Sequence, residues 1–126
     1  HITTFGGHPL SCAAGLAALD ALVEEGWMET VKEKEAIFRA HLQQAAIKSI
    51  RSFGLWMAVE FSDGETCKRV IDHCLTVTPQ DPTGLMTDWF LFAPNCLRIA
   101  PPLIISEAQI KLACERVLKA IDQSRL

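Results

Sequence analysis

The sequence contains no C-x-x-C pair, no block of basic residues and no long apolar run. A membrane-spanning helix needs about 20 consecutive apolar residues, and nothing here comes close. Each absence removes a class of function. Twelve Lys and Arg stand against fifteen Asp and Glu, a net charge of −3, and the basic residues are scattered. That excludes the electrostatic surface by which a domain holds nucleic acid or an anionic membrane. Five cysteines, an odd number at wide spacing, argue against a disulfide framework and against a zinc site. They point instead to a reducing, cytoplasmic setting. No basic segment leads into an apolar one as in a secretory signal, although a chain that opens on His1 need not open at its natural start.

The familiar catalytic signatures are missing too. There is no G-x-S-x-G, Walker loop, H-E-x-x-H or dinucleotide fingerprint. His1, His8, His41 and His73 lack metal-ligand spacing, so no metal is expected. No lysine stands in a context that marks a Schiff-base nucleophile. What remains is a chain of 126 residues, 49% hydrophobic and 21% charged. That is the size and composition of one globular domain.

Periodicity organises that domain. Pro9 suits a helix start, Leu16, Leu19, Leu22 and Val23 recur on one face, and Gly26 suits the stop. A second helix is predicted over about 28–46, its "KEKE" stretch solvated. In "LWMAVEF" the residues Leu55, Met57, Val59 and Phe61 alternate with Trp56, Ala58 and Glu60, a half-buried strand. "IKSIRSF" pairs with it around Gly54. Cys67, Val70, Ile71 and Cys74 then mark a short helix, and "TPQDPTG" a connector. "LMTDWFLF" and "CLRIA" read as two strands separated by an "APN" turn and closed by Pro101 and Pro102. Ser106 and Gln109 form a capping box, with Ile105 and Ile110 as its hydrophobic staple. Ile110, Ala113, Val117, Leu118 and Ile121 make the apolar stripe of the last helix. Lys111, Glu115 and Lys119 are spaced for ion pairs on its other side. Cys67, Cys74 and Cys114 fall on apolar helical faces and read as core filler. The fold class is α/β in the α+β sense, with a mostly antiparallel sheet of three or four strands packed with helices.

Two features stand apart from this framework. In "TTFGGHP" the threonines and glycines form either a plain turn into a helix or a cradle for an anion. Arg98 in "LRIAPPLII" lies on the strand face opposite Leu97 and Ile99. It forms either a structural ion pair with an acid such as Asp88 or Glu60, or a bidentate grip on a carboxylate ligand.

"HITTFGGHPLSCAAGLAALDALVEEG" and "LRIAPPLIIS", with "IRSFGLWMAVEF" between them in the matching order, resemble the C-terminal part of class-III pyridoxal-phosphate-dependent aminotransferases. The resemblance covers all 126 residues and is nearest to the ornithine and acetylornithine types. It implies the small C-terminal domain of a fold-type-I enzyme, with residues 1–26 the helix leading from an upstream large domain and residues 27–126 the small domain proper. By the same resemblance Thr4, with Thr3 beside it, binds the cofactor phosphate, in the active site of the opposite subunit of a homodimer. Arg98 receives the substrate carboxylate. The implied reaction moves an amino group from an ornithine-like amino acid to a 2-oxo acid. No catalytic residue lies within the chain, because the Schiff-base lysine belongs upstream. The chain alone is expected to be inactive and to expose an apolar patch. Another class-III activity, such as that on 4-aminobutyrate, and a free-standing binding module are the alternatives. The sequence departs from the family pattern at His8, where asparagine is usual, and at Ser52 and Phe53, where glycine and a variable residue are common.

Overall fold

The computed structural model describes residues 3–79 and 82–124; Gln80 and Asp81, in the expected connector, lie outside the described residues. Two compact units divide between Thr30 and Val31. The first holds helix α1 (Pro9–Glu24) and a single 3-10 turn, Trp27–Thr30. Pro9 occupies the first turn, where its missing N–H costs nothing. Gly26, at φ 66°, adopts the left-handed conformation that ends a helix. No residue of α1 is buried; Leu10, Leu16, Leu19 and Val23 are all more than half exposed. Alanines flank the leucines, so the apolar surface runs widely around the helix and is broken only near Asp20 and Glu24, and the first unit holds no other long element against which to bury it.

The second unit begins with helix α2 (Val31–His41), which stops well before the predicted end at Ala46. The Gln44 side chain accepts from the Ala46 N–H at 2.6 Å and the Gln44 carbonyl from the Ile47 N–H at 3.0 Å. This local turn replaces the helical ladder. The apolar pattern that suggests helix persists because Leu42, Ala46 and Ile47 still pack on the core.

Strands β1 (Ser49–Phe53), β2 (Trp56–Glu60), β3 (Asp88–Phe90) and β4 (Ala93–Ile99) form one antiparallel sheet in the order β1-β2-β4-β3. Gly54 lies at φ 63° with no left-handed residue after it. It therefore suits the first central position of a type II′ hairpin turn between Phe53 and Trp56. The predicted "APN" turn is corrected. The chain reverses at Leu91 and Phe92, and Ala93, Pro94 and Asn95 already belong to β4. Ala93 pairs with Phe90, and Pro94 and Asn95 lie in the register shift between that pair and Trp89–Leu97, the kind of bulge in which a strand tolerates proline.

Helices α3 (Gly64–Leu75) and α4 (Glu107–Gln123) join α2 over one face of the sheet. Met57, Val59 and Leu97 project there into a core with Phe38, Val70, Ile110 and Val117, and Cys67, Cys74 and Cys114 fill it as expected. Burial pushes their thiols up, Cys67 to about 12 and the other two to about 11. The capping box on α4 forms in full. The Gln109 N–H donates to Ser106 Oγ at 3.2 Å and the Ser106 N–H to Gln109 Oε1 at 2.9 Å. Lys111 pairs back to Glu107 at 2.6 Å. Among the described residues of this unit, no helix lies on the opposite face of the sheet.

Candidate functional site

The first expected site residues, Thr3 and Thr4, sit in a tight turn ahead of α1. The Gly6 N–H donates to the Thr3 carbonyl at 3.4 Å and the His8 N–H to the Phe5 carbonyl at 3.1 Å. A Cβ added to Gly6 would collide with Thr3 Oγ1. Gly7 is left-handed at φ 78°. The left-handed backbone at Gly7 favours glycine, and a side chain at Gly6 would displace the Thr3 hydroxyl. His8 stands at the N-cap of α1 but its side chain makes no capping bond, and no acid occupies the first turn. The exposed Thr3 and Thr4 therefore lie beside a helix start that no side chain caps, a polar environment suited to an anion.

The other expected residue, Arg98, belongs to the second unit. It lies on the helix-free face of the sheet, where the register aligns Arg51 on β1, Ala58 on β2, Arg98 on β4 and Asp88 on β3 in one row. Arg98 Nη2 donates to Asp88 Oδ2 at 3.3 Å, the ion pair that alternation allows for. Its side chain stays 44% exposed. This single long contact leaves most of its fork free to bind a ligand.

A neighbouring cluster lies beyond what the sequence pattern singles out. Glu60 accepts from Ser49 Oγ at 2.7 Å, from Arg51 Nη1 at 2.8 Å and from Asn95 Nδ2 at 3.3 Å. The Ser49 hydroxyl chiefly, helped by Arg51 and Asn95 against partial desolvation, holds the Glu60 carboxyl below its ordinary range. Arg51 Nη2 also reaches Cys96 Sγ at 3.3 Å. A signal exists in the hairpin, since alternation about Gly54 puts Ser49, Arg51 and Glu60 on one face, but only the strand pairing brings them together.

Around these charges the face is apolar. Phe53, Trp56, Leu91 and Phe92 are largely exposed, and the Trp56 and Phe90 rings lie 6.2 Å apart. Arg51, Ala58, Arg98, Ala93 and the Phe90–Phe92 corner enclose an open hollow of about 510 Å³. Among the described residues no cluster of His, Cys, Asp or Glu could hold a metal ion, and no helix is long and apolar enough to cross a membrane.

Comparison with known proteins matches the chain to one family. The chain is 34% identical to the acetylornithine aminotransferase of Caldanaerobacter subterraneus over 99% of its own length and 31% of that protein's. It is 33% identical to ornithine aminotransferase 2 of Staphylococcus aureus, over 93% of this chain and 28% of the relative. The chain thus spans less than a third of the length of the curated relatives it matches. The fold superposes on the PMP-bound aminotransferase of Vibrio fluvialis with a TM-score of 0.75 at 24% identity, over 99% of this chain and 29% of that one. The family profile described as aminotransferase class-III matches residues 1–121, and the chain belongs to the class-III aminotransferases.

Proposed function

We propose that the chain forms part of a pyridoxal-phosphate-dependent transaminase that moves an amino group from ornithine or acetylornithine to a 2-oxo acid. Family membership supports the reaction class, and the observation that carries the substrate reading is Arg98. It presents a half-exposed guanidinium on a sheet face that no helix of this unit covers, beside an open hollow. A planar guanidinium fork binds carboxylate in two parallel hydrogen bonds, and a carboxylate is the group that amino-acid donor and oxo-acid acceptor share.

The threonine turn fits the cofactor's phosphate. Its glycines leave no Cβ to fill the space, its threonines are exposed, and the first turn of the helix behind it lacks an acidic residue that would repel an anion. Thr4, with Thr3 beside it, is the residue proposed to hold that phosphate. When bound, pyridoxal phosphate supplies the electron sink that makes amino transfer possible. This chain's residues would anchor the phosphate and orient the substrate carboxylate. The lysine that holds the cofactor and moves the proton would come from the remainder of a longer protein.

The bare apolar surface of α1 supports that division of labour. An exposed apolar surface of this breadth, with Leu10, Leu16, Leu19 and Val23 all more than half exposed, marks a place that other surfaces cover. The rest of the longer protein and the partner subunit of a homodimer are the proposed cover. On this reading the isolated chain is inactive.

Visible absorbance of the full-length protein tests the proposal. A yellow cofactor band is the expected signature. Its bleaching by ornithine, acetylornithine or 4-aminobutyrate, added separately, names the donor. A purified protein that takes up no cofactor would end this reading in favour of a binding module.

A further inference from the structure

Trp56 has no part in the function proposed so far, yet it borders the same hollow as Arg98. We propose that Trp56 is a specificity-determining residue, which with Met86 walls an apolar subsite beside Arg98 for the hydrocarbon chain of a carboxylate substrate. The proposal deepens the transaminase reading and rests on it for the role of Arg98 as the carboxylate anchor.

Arg98 borders two hollows on the sheet. One is the space over Ala58 described above. The other, of about 540 Å³, lies among Trp56, Met86, Thr87, Asp88, Arg98 and Ala100. The ion pair decides between them. Arg98 Nη2 donates to Asp88 Oδ2, and of the two hollows Asp88 borders only the second. The guanidinium is thus held on the side of β3, where that hollow opens. Trp56 stands two residues along β2 from Ala58, the cross-strand partner of Arg98, and so on the same face.

The walls of this hollow are apolar and held in place. Trp56 is 61% and Met86 91% exposed. The Trp56 indole is braced by the Phe90 ring, with 6.2 Å between centroids. Met86 stands between two ties. The Leu85 N–H donates to the Cys74 carbonyl at 2.8 Å, and Thr87 Oγ1 to the Arg98 carbonyl itself at 2.7 Å. Two large apolar side chains are therefore bare on a fixed backbone, which lowers the ordering cost of covering them. A ligand anchored by its carboxylate at Arg98 lays its chain between them and takes apolar surface on both partners out of water. Asp88 does not bar the carboxylate. Its Oδ1 accepts from the Trp89 N–H at 2.8 Å and its Oδ2 from Arg98, so both oxygens are already engaged. The ligand class is an aliphatic carboxylate, its methylenes lying against Trp56.

Calorimetric titration of the full-length protein with acetate, butyrate and hexanoate, which cannot react, tests the subsite. Affinity is expected to rise roughly two- to four-fold with each added methylene, the upper figure corresponding to full burial. Trp56→Ala should flatten that rise, with hexanoate at least five-fold weaker and acetate within two-fold of the parent. Trp56→Phe, which keeps an aromatic wall, should retain most of it. Arg98→Gln should weaken all three acids alike. Hexanoate should also change the tryptophan emission of the parent, and Trp56→Phe should lose that change. Affinity indifferent to chain length, an unaltered rise in Trp56→Ala, equal losses of acetate and hexanoate there, or an emission change that survives Trp56→Phe would each overturn the subsite. Circular dichroism confirms that the variants fold. The cofactor spectrum separates the two proposals. Bleaching by ornithine with a chain-length rise indifferent to Trp56 removes the subsite and leaves the transaminase. A Trp56-dependent rise in a protein that takes up no cofactor does the reverse.

Discussion

Arg98 and Asp88 face each other directly across antiparallel strands, with Nη2 and Oδ2 3.3 Å apart. Both side chains are about half exposed, so solvent screens the pair. Its contribution to stability then lies within ~1 kcal/mol. Its effect is to aim the guanidinium. Arg98→Gln in the full-length protein is expected to raise KM for the amino donor between about ten- and a hundred-fold, equivalent to roughly 1.5–3 kcal/mol for hydrogen bonds to a charged group. Asp88→Asn loosens that aim while leaving the guanidinium in place, and is expected to raise the same KM by a smaller factor, a few-fold. Steady-state kinetics on the two variants, with the melting temperature nearly constant, checks both.

Thr4 makes a prediction that needs no turnover. If its hydroxyl donates to the cofactor phosphate, Thr4→Ala loses one charge-assisted hydrogen bond, about 1.5–3 kcal/mol. Cofactor retained by the full-length protein after dialysis should fall, with an apparent Kd at least ten-fold higher, and Thr4→Ser should recover most of it. Equal retention by Thr4→Ala and parent would assign the turn to helix initiation alone.

The acid limb of stability has a definite source at Asp63, the N-cap of α3. Its carboxyl is held down to about 2 by the Ser62 hydroxyl first, then by the Thr66 N–H and hydroxyl. The folded value lies below the ordinary value of 3.8. The stabilisation is therefore complete above that ordinary value and is lost as pH falls toward the folded one. Thermal melts from mildly to strongly acidic pH should show a steeper decline for the parent than for Asp63→Asn. The two curves should converge at the acid end.

How much of this can be read from the sequence depends on how local the deciding interactions are. The Ser106 box, the Gly54 hairpin and the alternation in β2 are set by near neighbours in the chain, and all form as expected. Periodicity misplaces the end of α2 because Leu42, Ala46 and Ile47 stay apolar for the core after the backbone has left the helix. The β3–β4 turn is misplaced for a related reason: Pro94 and Asn95 look like turn residues, yet they sit in an irregularity that only the partner strand defines. Alternation puts Arg98 on the correct face and names Asp88 among its possible partners. The row joining Arg51, Ala58 and Arg98 spans three strands, the last of them distant in the chain, and no local pattern encodes it.

The buried thiols give a prediction of the opposite kind, one of silence. Cys67, Cys74 and Cys114 are enclosed in the core, and desolvation raises them to about 12, 11 and 11. Near neutral pH their thiolate fraction is then on the order of one part in a thousand or less, and no reagent reaches it without opening of the core. All three are expected to resist a thiol-specific chromogenic reagent in the folded full-length protein and to react together on addition of denaturant. Replacing Cys114 with serine puts a hydroxyl into the apolar cluster that holds Ile110, Val117 and Phe38. Burial of a hydroxyl without a partner is expected to cost about 1–3 kcal/mol. Cys114→Ala removes only the sulfur and should cost less than the serine variant. That order, alanine above serine in melting temperature, distinguishes a cysteine retained for packing from one retained for its polarity.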